Sequence, residues 1–393
     1  MTGLPPTSAP SSSDLPAGPL SGIVVADFSR VLAGPFCSMT LGDLGATVIK
    51  VESPGGDDTR SWSPPVYMGQ ASYYQAVNRN KHSIALDFKD PEDLEVAKRI
   101  AARADVFLHN FKPGSIDKFG LGYEGVRELN PQVIYAHISG FGTKKGADMP
   151  GYDVLVQGAA GLMDMNGDPD GPPVRSGVSI FDITTGMTTA LGITAAIRHR
   201  DLTGEGQLIE NNLMSNALFT MTNQYQVALS GQTTRRAGAE HGTIYPYNAF
   251  PTGDGDLIVV GANNGQFARL AEVLGHPEWS TDERFDSPEK RNVNRAELRP
   301  LMEEALSHKG KQEWFALLTE AGLPSSPVQS VNEGLMTAEE LGLEPVWTTG
   351  EEGGIPTIRP SLSFSASPVS YRKQPPELGE DGDAVRAWLD SED

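Results

Sequence analysis

Short apolar runs alternate with helix-like segments from residue 21 to residue 139, and this alternation constrains the fold more than any other feature. The segment "SGIVVADFSRVLAGPFCSMTLGDLGATVIKVESPGG" predicts a strand over 23–28, a helix over about 34–44 and a strand over 47–51. Further strands are predicted in "HSIALDF", "DVFLHNF" and "VIYAHIS", and helices in "DPEDLEVAKRIAARA" and "YEGVRELN". Strands joined through helices run parallel, so the sequence predicts an α/β protein with a Rossmann-like, doubly wound parallel sheet.

Ligands of such sheets bind beyond the carboxyl ends of the strands. The segments at those ends are "FSRVLAGP", "KVESPGGDDTR", "HNFKPGS" and "SGFGTKKG". The glycine spacing in the last is wrong for a dinucleotide fingerprint, and the chain has neither a GxxxxGK[ST] loop nor a GxSxG elbow. Residues 21–150 carry a net charge of −1 and residues 151–393 one of −18, so an anionic ligand is expected in the first part.

Composition shifts along the chain predict its domains. Residues 1–20 are rich in Pro and Ser and lack Lys and Arg, which indicates a disordered leader and not a signal peptide. Residues 21–205 form the first part of a large domain, and 206–230 hold a short strand and a linker helix. A hairpin and helices over 231–325 predict a smaller α+β domain, and 326–393 return to the large domain through β-like segments.

Charge and residue usage exclude several classes of function. A net charge of −20 over 393 residues argues against nucleic acid or an anionic membrane surface as partner. No apolar run approaches the roughly 18 residues of a membrane span. The seven histidines are at least 27 residues apart, so no local zinc motif is expected. Cys37 has no second cysteine to pair with, which favours the cytoplasm.

One carboxylate stands out in "PPVRSGVSIFDITTGMTTALGITAAIRHR". Val178, Ile180 and Phe181 are interpreted as the end of a buried strand, with Asp182 at the start of the helix that follows. Asp182 is then either a helix cap, which is the commoner role of such a residue, or a nucleophile in an apolar wall beside Gly186. The segment alone leaves both roles open.

Five blocks, in order, resemble the class III CoA-transferases. They are "DFSRVLAGPFCSMTLGDLGATVIKVESPGGDDTR", "NRNKHSIALDF", "NFKPGSIDKFGLGYEGVRELNPQVIYAHISGFG", "GYDVLVQGAAGLM" and "FDITTGMTTALGITAAI". This family includes formyl-CoA:oxalate and carnitine CoA-transferases and is related to α-methylacyl-CoA racemase. The resemblance implies transfer of CoA from an acyl-CoA, such as succinyl-CoA, to a carboxylic acid. It also implies a homodimer of interlocked chains, with acyl-CoA as substrate and no tightly bound cofactor or metal.

The resemblance places the nucleophile at Asp182. The family's mechanism passes through an aspartyl anhydride and an aspartyl-CoA thioester. Backbone N–H bonds to the ionised carboxylate are expected to keep it charged.

The resemblance also assigns binding residues. For CoA these are Val31, Ala33, Lys89, Asn110, Phe111, Lys118, Tyr152 and Asp153, the two lysines facing phosphates. For the acyl group or acid they are Leu32, Trp62, His241 and Gly242, the last two in the loop "AGAEHGTIYPY".

The chain departs from the oxalate enzyme at two positions. Leu32 replaces a Gln, which favours a longer or less polar acyl group than formate or oxalate. Ser53 replaces an Arg at the nucleotide, a contact that Arg60 or Lys81 is expected to supply.

Two other functions are weighed against transfer. Racemisation of a 2-methylacyl-CoA needs two acid/base groups, and the racemase has a His where this chain has Tyr152. A phenol is a poor proton carrier at neutral pH, which disfavours racemisation. A non-catalytic CoA-binding protein would have no need of Asp182.

Overall fold

The computed structural model describes residues 7–8, 18–349 and 353–391. The chain forms two compact units. The larger comprises Met1–Leu162, Arg175–Gln232 and Gly342–Asp393, and the smaller comprises Met163–Val174 and Thr233–Leu341. The predicted leader lies mostly outside the described residues, although Leu20 is buried and its N–H donates to the Leu44 carbonyl.

Six parallel strands form the central sheet of the larger unit among the described residues. They are β1 (Val24–Asp27), β2 (Thr47–Glu52), β3 (Lys81–Ala85), β4 (Val106–His109), β5 (Ile134–Ser139) and β6 (Gln207–Asn212). Their order is β3-β2-β1-β4-β5-β6, so the direction of winding reverses between β1 and β4. The predicted α/β class and parallel sheet are confirmed, and the reversal creates a crevice at the carboxyl ends of these two strands.

Helices cover the sheet because its central strands are apolar on both faces. Those of the larger unit are Ala33–Asp43, Ser72–Gln75, Pro91–Arg103, Tyr123–Leu129, Asp153–Ala159, Ile180–Thr203, Leu213–Thr220, Thr222–Leu229 and Gly382–Asp390, with Leu162–Met165 crossing into the smaller unit. The Pro91–Arg103 helix begins as predicted, with the Asp90 side chain accepting from the Glu92 N–H at 2.8 Å. Phe28, Phe107 and Tyr135 stack in the core on one side of the sheet. Short strands complete this unit: Val66–Tyr67 with Gln70–Ala71, and Thr7–Ser8 with Val346–Thr348 and Thr357–Ile358.

The smaller unit has an antiparallel sheet of Tyr247–Pro251, Asp256–Val260 and Ser325–Pro327. Its helices are Asn264–Val273, Pro288–Val293, Arg295–Leu306, Lys311–Glu320 and Val331–Glu340. Phe250, Phe267 and Trp314 belong to its separate hydrophobic core. A core of its own is what makes this segment a compact unit.

The secondary structure differs from the sequence-based prediction in three places. Val178 is exposed and Ile180 already begins a helix, so residues 178–181 are not a buried strand end. The single linker helix is two helices that meet at Met221. The β-like tail over 328–341 is mainly helical, and residues 360–372 form no strand although Ser and apolar residues alternate there. Alternation produces a strand only where a sheet edge accepts it, and 361–366 are exposed.

Candidate active site

A cleft of about 390 Å³ opens at the reversal point of the sheet. It receives residues from all four segments that follow the strands, and from the loop that precedes the Asp153–Ala159 helix. Seven of the predicted site residues line it: Val31, Leu32, Ala33, Asn110, Phe111, Tyr152 and Asp182. A ligand in this cleft therefore lies against the first turn of the Ile180–Thr203 helix.

Asp182 is the third residue of that helix and not its cap, because Ser179 occupies the N-cap position. Among the described residues, no N–H or O–H group donates a hydrogen bond to its carboxylate. Burial, and secondarily the charge of Asp153, raise the pKa of Asp182 from 3.8 to about 7. The expectation that backbone N–H bonds keep the Asp182 carboxylate charged is therefore wrong.

Asp153 satisfies the helix end instead. Its Oδ2 accepts from the Phe181 N–H at 3.0 Å and from the Asp182 N–H at 3.4 Å, and its Oδ1 accepts from the Gln157 amide at 2.5 Å. The side chain is buried and does not line the cleft. It thus positions the first turn of the helix and adds negative charge beside Asp182.

Gly186 lets the helix of Asp182 approach the wall of the cleft. A Cβ at this position would lie 2.6 Å from the Ala33 carbonyl oxygen. Because Gly186 has no side chain, the helix can bring Asp182 close to residues 31–33. This close approach explains why a glycine stands at position 186, in the same helix as Asp182.

Val31 adopts a left-handed conformation, with φ of 72°, which is strained for a β-branched residue. Its N–H faces both Asp57 carboxylate oxygens at 3.2 Å. Asp57 is in turn paired with Lys50 at 2.9 Å, and both side chains are fully buried. Lys50 also donates to the Ser29 carbonyl at 3.1 Å. A buried ion pair therefore holds the strained turn that lines the cleft.

An apolar cluster adjoins the same wall. Its members are Leu32, Met39 and Val77 with Val31, Phe36, Tyr73 and Ile183 packed against them. Trp62 does not line the cleft, but its ring packs edge-on against Tyr73 with centroids 5.1 Å apart. Leu32, Ile183 and the Trp62–Tyr73 pair thus supply apolar surface near the carboxylate.

Other predicted residues lie elsewhere. Lys89 and Lys118 are exposed and do not line the cleft, and the Lys118 ammonium lies 4.9 Å from the Phe119 ring. His241 and Gly242 belong to the smaller unit, where their carbonyls each accept from Arg295 at 3.4 Å. Neither lysine therefore lies on the wall of the cleft that carries Asp182.

Lys81 and Arg60, which were expected to replace the missing arginine at the nucleotide, both bind partners within the protein. Lys81 is fully buried and donates to Asp27 and to Asn78. Arg60 binds Glu52 with two nitrogens and stacks on Tyr74 at 3.9 Å. That suggestion is wrong, because neither group is free to bind a phosphate.

Sequence reasoning missed two ion pairs at the cleft. Arg30 pairs with Asp58 at 3.0 Å, and Lys112 pairs with Asp148 at 2.7 Å. All four side chains are exposed and line the cleft. Three of them fall in segments that had been marked as strand ends, so their position was a usable signal.

The described residues were expected to hold no metal site and no membrane span. They contain no group of three or more His, Cys, Asp or Glu side chains able to hold a metal ion. The Ile180–Thr203 helix has the length and apolarity to cross a membrane, but 44% of its apolar window is buried in the protein. Core helices of other proteins have the same length and apolarity, so these two properties are weak evidence for a membrane span.

A cleft at the reversal point of a doubly wound sheet, with a carboxylate of raised pKa on its wall, is typical of an enzyme active site. The particular family follows from comparison: residues 20–382 match CoA-transferase family III. The chain belongs to this family and is a CoA-transferase.

Similar proteins cover nearly the whole chain. The succinyl-CoA:glutarate CoA-transferase of Mus musculus is 39% identical over 95% of this chain and 87% of its own length. The succinate--glutarate CoA-transferase of Agrobacterium fabrum is 39% identical, covering 95% and 96%. A CAIB/BAIF family protein from Brucella suis superposes with a TM-score of 0.89 at 39% identity, covering 95% and 100%.

A change of charge at Asp153 tests the electrostatics of the site. A nucleophilic role for Asp182 would require its ionised form, and kcat/KM is then expected to rise as the pH increases through about 7. Asp153→Asn retains an oxygen to accept the helix N–H groups but removes the charge that helps to raise the pKa of Asp182. We expect the acid limb of kcat/KM to move to lower pH. An unmoved limb in a folded variant would contradict the assignment.

Proposed function

We propose that this CoA-transferase moves CoA from succinyl-CoA to a dicarboxylic acid of about glutarate size, in the cytoplasm, through covalent intermediates on Asp182. The observation that carries the proposal is a carboxylate of raised pKa on the wall of the cleft, without hydrogen-bond donors among the described residues to weaken its nucleophilicity. The substrates are suggested by the two glutarate transferases that resemble the chain.

Each step exchanges one acyl bond for another. Asp182 attacks the succinyl-CoA carbonyl, which forms an anhydride and expels CoA thiolate. The thiolate attacks the aspartyl carbonyl, which releases succinate and leaves an aspartyl-CoA thioester. The acceptor carboxylate displaces CoA to form a second anhydride, and the thiolate attacks its acceptor carbonyl. The product acyl-CoA leaves and Asp182 is regenerated.

The cleft is lined by apolar side chains and by several glycines, which suits the pantetheine arm of CoA. Leu32 and Val31 offer apolar contact, and Tyr152, 60% exposed, stands at the N-cap of the helix opposite. The cations Arg30 and Lys112 can exchange their carboxylate partners for an anionic substrate, since exposed ion pairs contribute little. The Asn110 side chain accepts from the Arg30 N–H and donates to the Arg30 carbonyl, so it connects the loop after β4 to the loop after β1.

A panel of substrates tests the proposal. Purified protein is incubated with succinyl-, acetyl- and formyl-CoA and with glutarate, oxalate and a monocarboxylic acid, and products are read by mass spectrometry. We expect succinyl-CoA with glutarate to give the highest kcat/KM and formyl-CoA with oxalate the lowest. A 2-methylacyl-CoA in deuterated water is included, and α-proton exchange without CoA transfer would establish racemisation instead.

The nucleotide of CoA is proposed to contact Lys89 and Lys118. Replacing both by Ala should raise KM for acyl-CoA several-fold and change kcat less, because these contacts are equal in ground and transition states. Salt should weaken CoA binding more in the wild type than in the variant, since exposed charges are screened over roughly 8–10 Å. The matched pair is Arg30→Ala with Lys112→Ala; if only that pair raises KM, the phosphates lie at the cleft instead.

Assembly is expected to be a homodimer of interlocked chains. The Ile180–Thr203 and Leu213–Thr220 helices leave Met187, Leu191 and Phe219 more than half exposed. Apolar surface of this kind is typical of a subunit interface. We expect a dimer by light scattering at micromolar concentration, and Leu191→Asp with Phe219→Asp to yield monomer or aggregate. An active wild-type monomer would refute the assembly.

A further inference from the structure

Two histidines that the aspartyl mechanism does not use form a stacked pair beside the cleft. His109 and His137 lie opposite each other on β4 and β5. Their ring centroids are 4.4 Å apart and their planes differ by 6°. Both side chains are buried. Two imidazolium rings would repel strongly at this distance, so the stack indicates at most one charge.

Both rings hold the backbone of Phe111, a residue that lines the cleft. The Phe111 N–H donates to His109 Nδ1 at 3.3 Å, and His137 Nε2 lies 3.1 Å from the Phe111 carbonyl. A carbonyl only accepts, so His137 carries a proton on Nε2. A backbone N–H only donates, so His109 Nδ1 is unprotonated and this ring is neutral.

Protonation opposes this arrangement. A proton added to His109 would enter at Nδ1 and point at the Phe111 N–H, which removes the hydrogen bond. Burial, and then the neighbouring His137, lower the pKa of His109 well below 6.5. Burial also lowers the pKa of His137, against the opposing effects of the Phe111 carbonyl, Glu210 and Asp117.

The surroundings give protons access to the pair. A second cavity of about 600 Å³ is lined by both histidines, by the carboxylates of Asp117, Glu124 and Glu210, and by Pro113, which also lines the cleft. Glu210 lies beside His137 on the next strand. Of these carboxylates, Glu210 and Asp117 favour protonation of His137, whereas the neighbouring His137 disfavours a charge on His109.

We propose that His109 and His137 are positioning residues that hold the Phe111 wall of the cleft in its CoA-binding shape while His109 is neutral, so that mild acid weakens CoA binding. The inference rests on the proposed placement of CoA in this cleft. A conformation that releases Phe111 and opens the pair to water removes the burial that disfavours a charged His109, so protonation at Nδ1 favours that conformation. Its population relative to the CoA-binding shape grows by up to about tenfold per pH unit below about 6.5.

The experiment measures binding and not turnover, because Asp182 also titrates in this range. Dephospho-CoA is the probe, since it lacks the 3′-phosphate monoester, whose second pKa lies near about 6. Its Kd is measured by calorimetry between about pH 5.5 and 7.5 in the Asp182→Asn protein. We expect Kd to rise toward the acid end, by up to about tenfold for protonation of His109.

The matched control replaces the pair by His109→Asn and His137→Gln. These side chains offer an acceptor near the Nδ1 position and a donor near the Nε2 position but cannot be protonated. We expect the Kd of this variant for dephospho-CoA to stay constant across the pH range. Parallel pH dependence in both proteins would overturn the inference.

Two further outcomes are distinguishable. No binding of dephospho-CoA at the higher pH would overturn the placement of CoA and this inference together. If the double variant does not fold, nitrogen NMR of the wild-type histidines decides. Protonation of His109 Nδ1 between about pH 7.5 and 5.5, accompanied by a shift of the Phe111 amide resonance, supports the inference, and an Nδ1 that stays unprotonated over that range, or titrates without any change at Phe111, overturns it.

Discussion

Asp182→Ala is expected to lower kcat by roughly 10⁴-fold or more, because the covalent route is lost when its nucleophile is removed. Asp182→Asn should do the same, since an amide does not attack a thioester. CoA binding should persist in both variants, as the cleft wall is otherwise intact. The measurement is CoA transfer followed by mass spectrometry, with hydroxylamine present to trap an aspartyl hydroxamate at residue 182 in the wild type.

The control is Asp201→Asn, an exposed acid at the far end of the same helix. We expect near wild-type turnover there. Turnover like the wild type in Asp182→Ala at matched purity, or a hydroxamate found at another residue, would refute the covalent route through this side chain.

Asp57→Ala is expected to lower the free energy of unfolding by about 3–5 kcal/mol, because it leaves the fully buried Lys50 without its partner. It also frees the Val31 N–H, so the strained turn should relax and CoA binding should weaken. The measurements are the urea midpoint and the Kd for CoA. The neighbouring acid provides the control: Asp58→Ala breaks an exposed pair and should change stability by no more than about 1 kcal/mol.

A second variant separates the ion pair from the turn. Lys50→Met combined with Asp57→Leu should recover much of the stability, because apolar replacement of a buried pair is often neutral. It should not recover CoA binding, since nothing then holds Val31. Recovery of both, or equal losses in Asp57→Ala and Asp58→Ala, would contradict the role given to Asp57.

The Lys50–Asp57 pair makes the free energy of unfolding depend on pH. Burial alone would raise the pKa of Asp57, but Lys50 and the hydrogen bonds from Thr59 lower it from 3.8 to about 2. A lowered folded-state pKa means that the stability contribution is present above about pH 3.8 and is lost as the pH falls toward 2.

Local sequence signals predicted the elements of the parallel sheet well because each carries its own information. Pro91 after Asp90, for example, marks a helix start through a fixed φ and a side-chain cap that act within three residues. The error at residues 178–181 arose because the first N–H groups of that helix donate to Asp153, which is distant in sequence. No pattern within "SGVSIFD" shows that a remote carboxylate will satisfy those N–H groups.

Sequence by itself predicted the alternation of strands and helices, the edge of the sheet where the cleft opens and, through motif resemblance, the proposed role of Asp182. These depend on periodicity and residue type, which are local. Only the tertiary structure decided the raised pKa of Asp182, the buried Lys50–Asp57 pair under Val31 and the stacked histidines that hold Phe111. Each of these depends on burial and on distances between residues from different strands, and a linear sequence specifies neither directly.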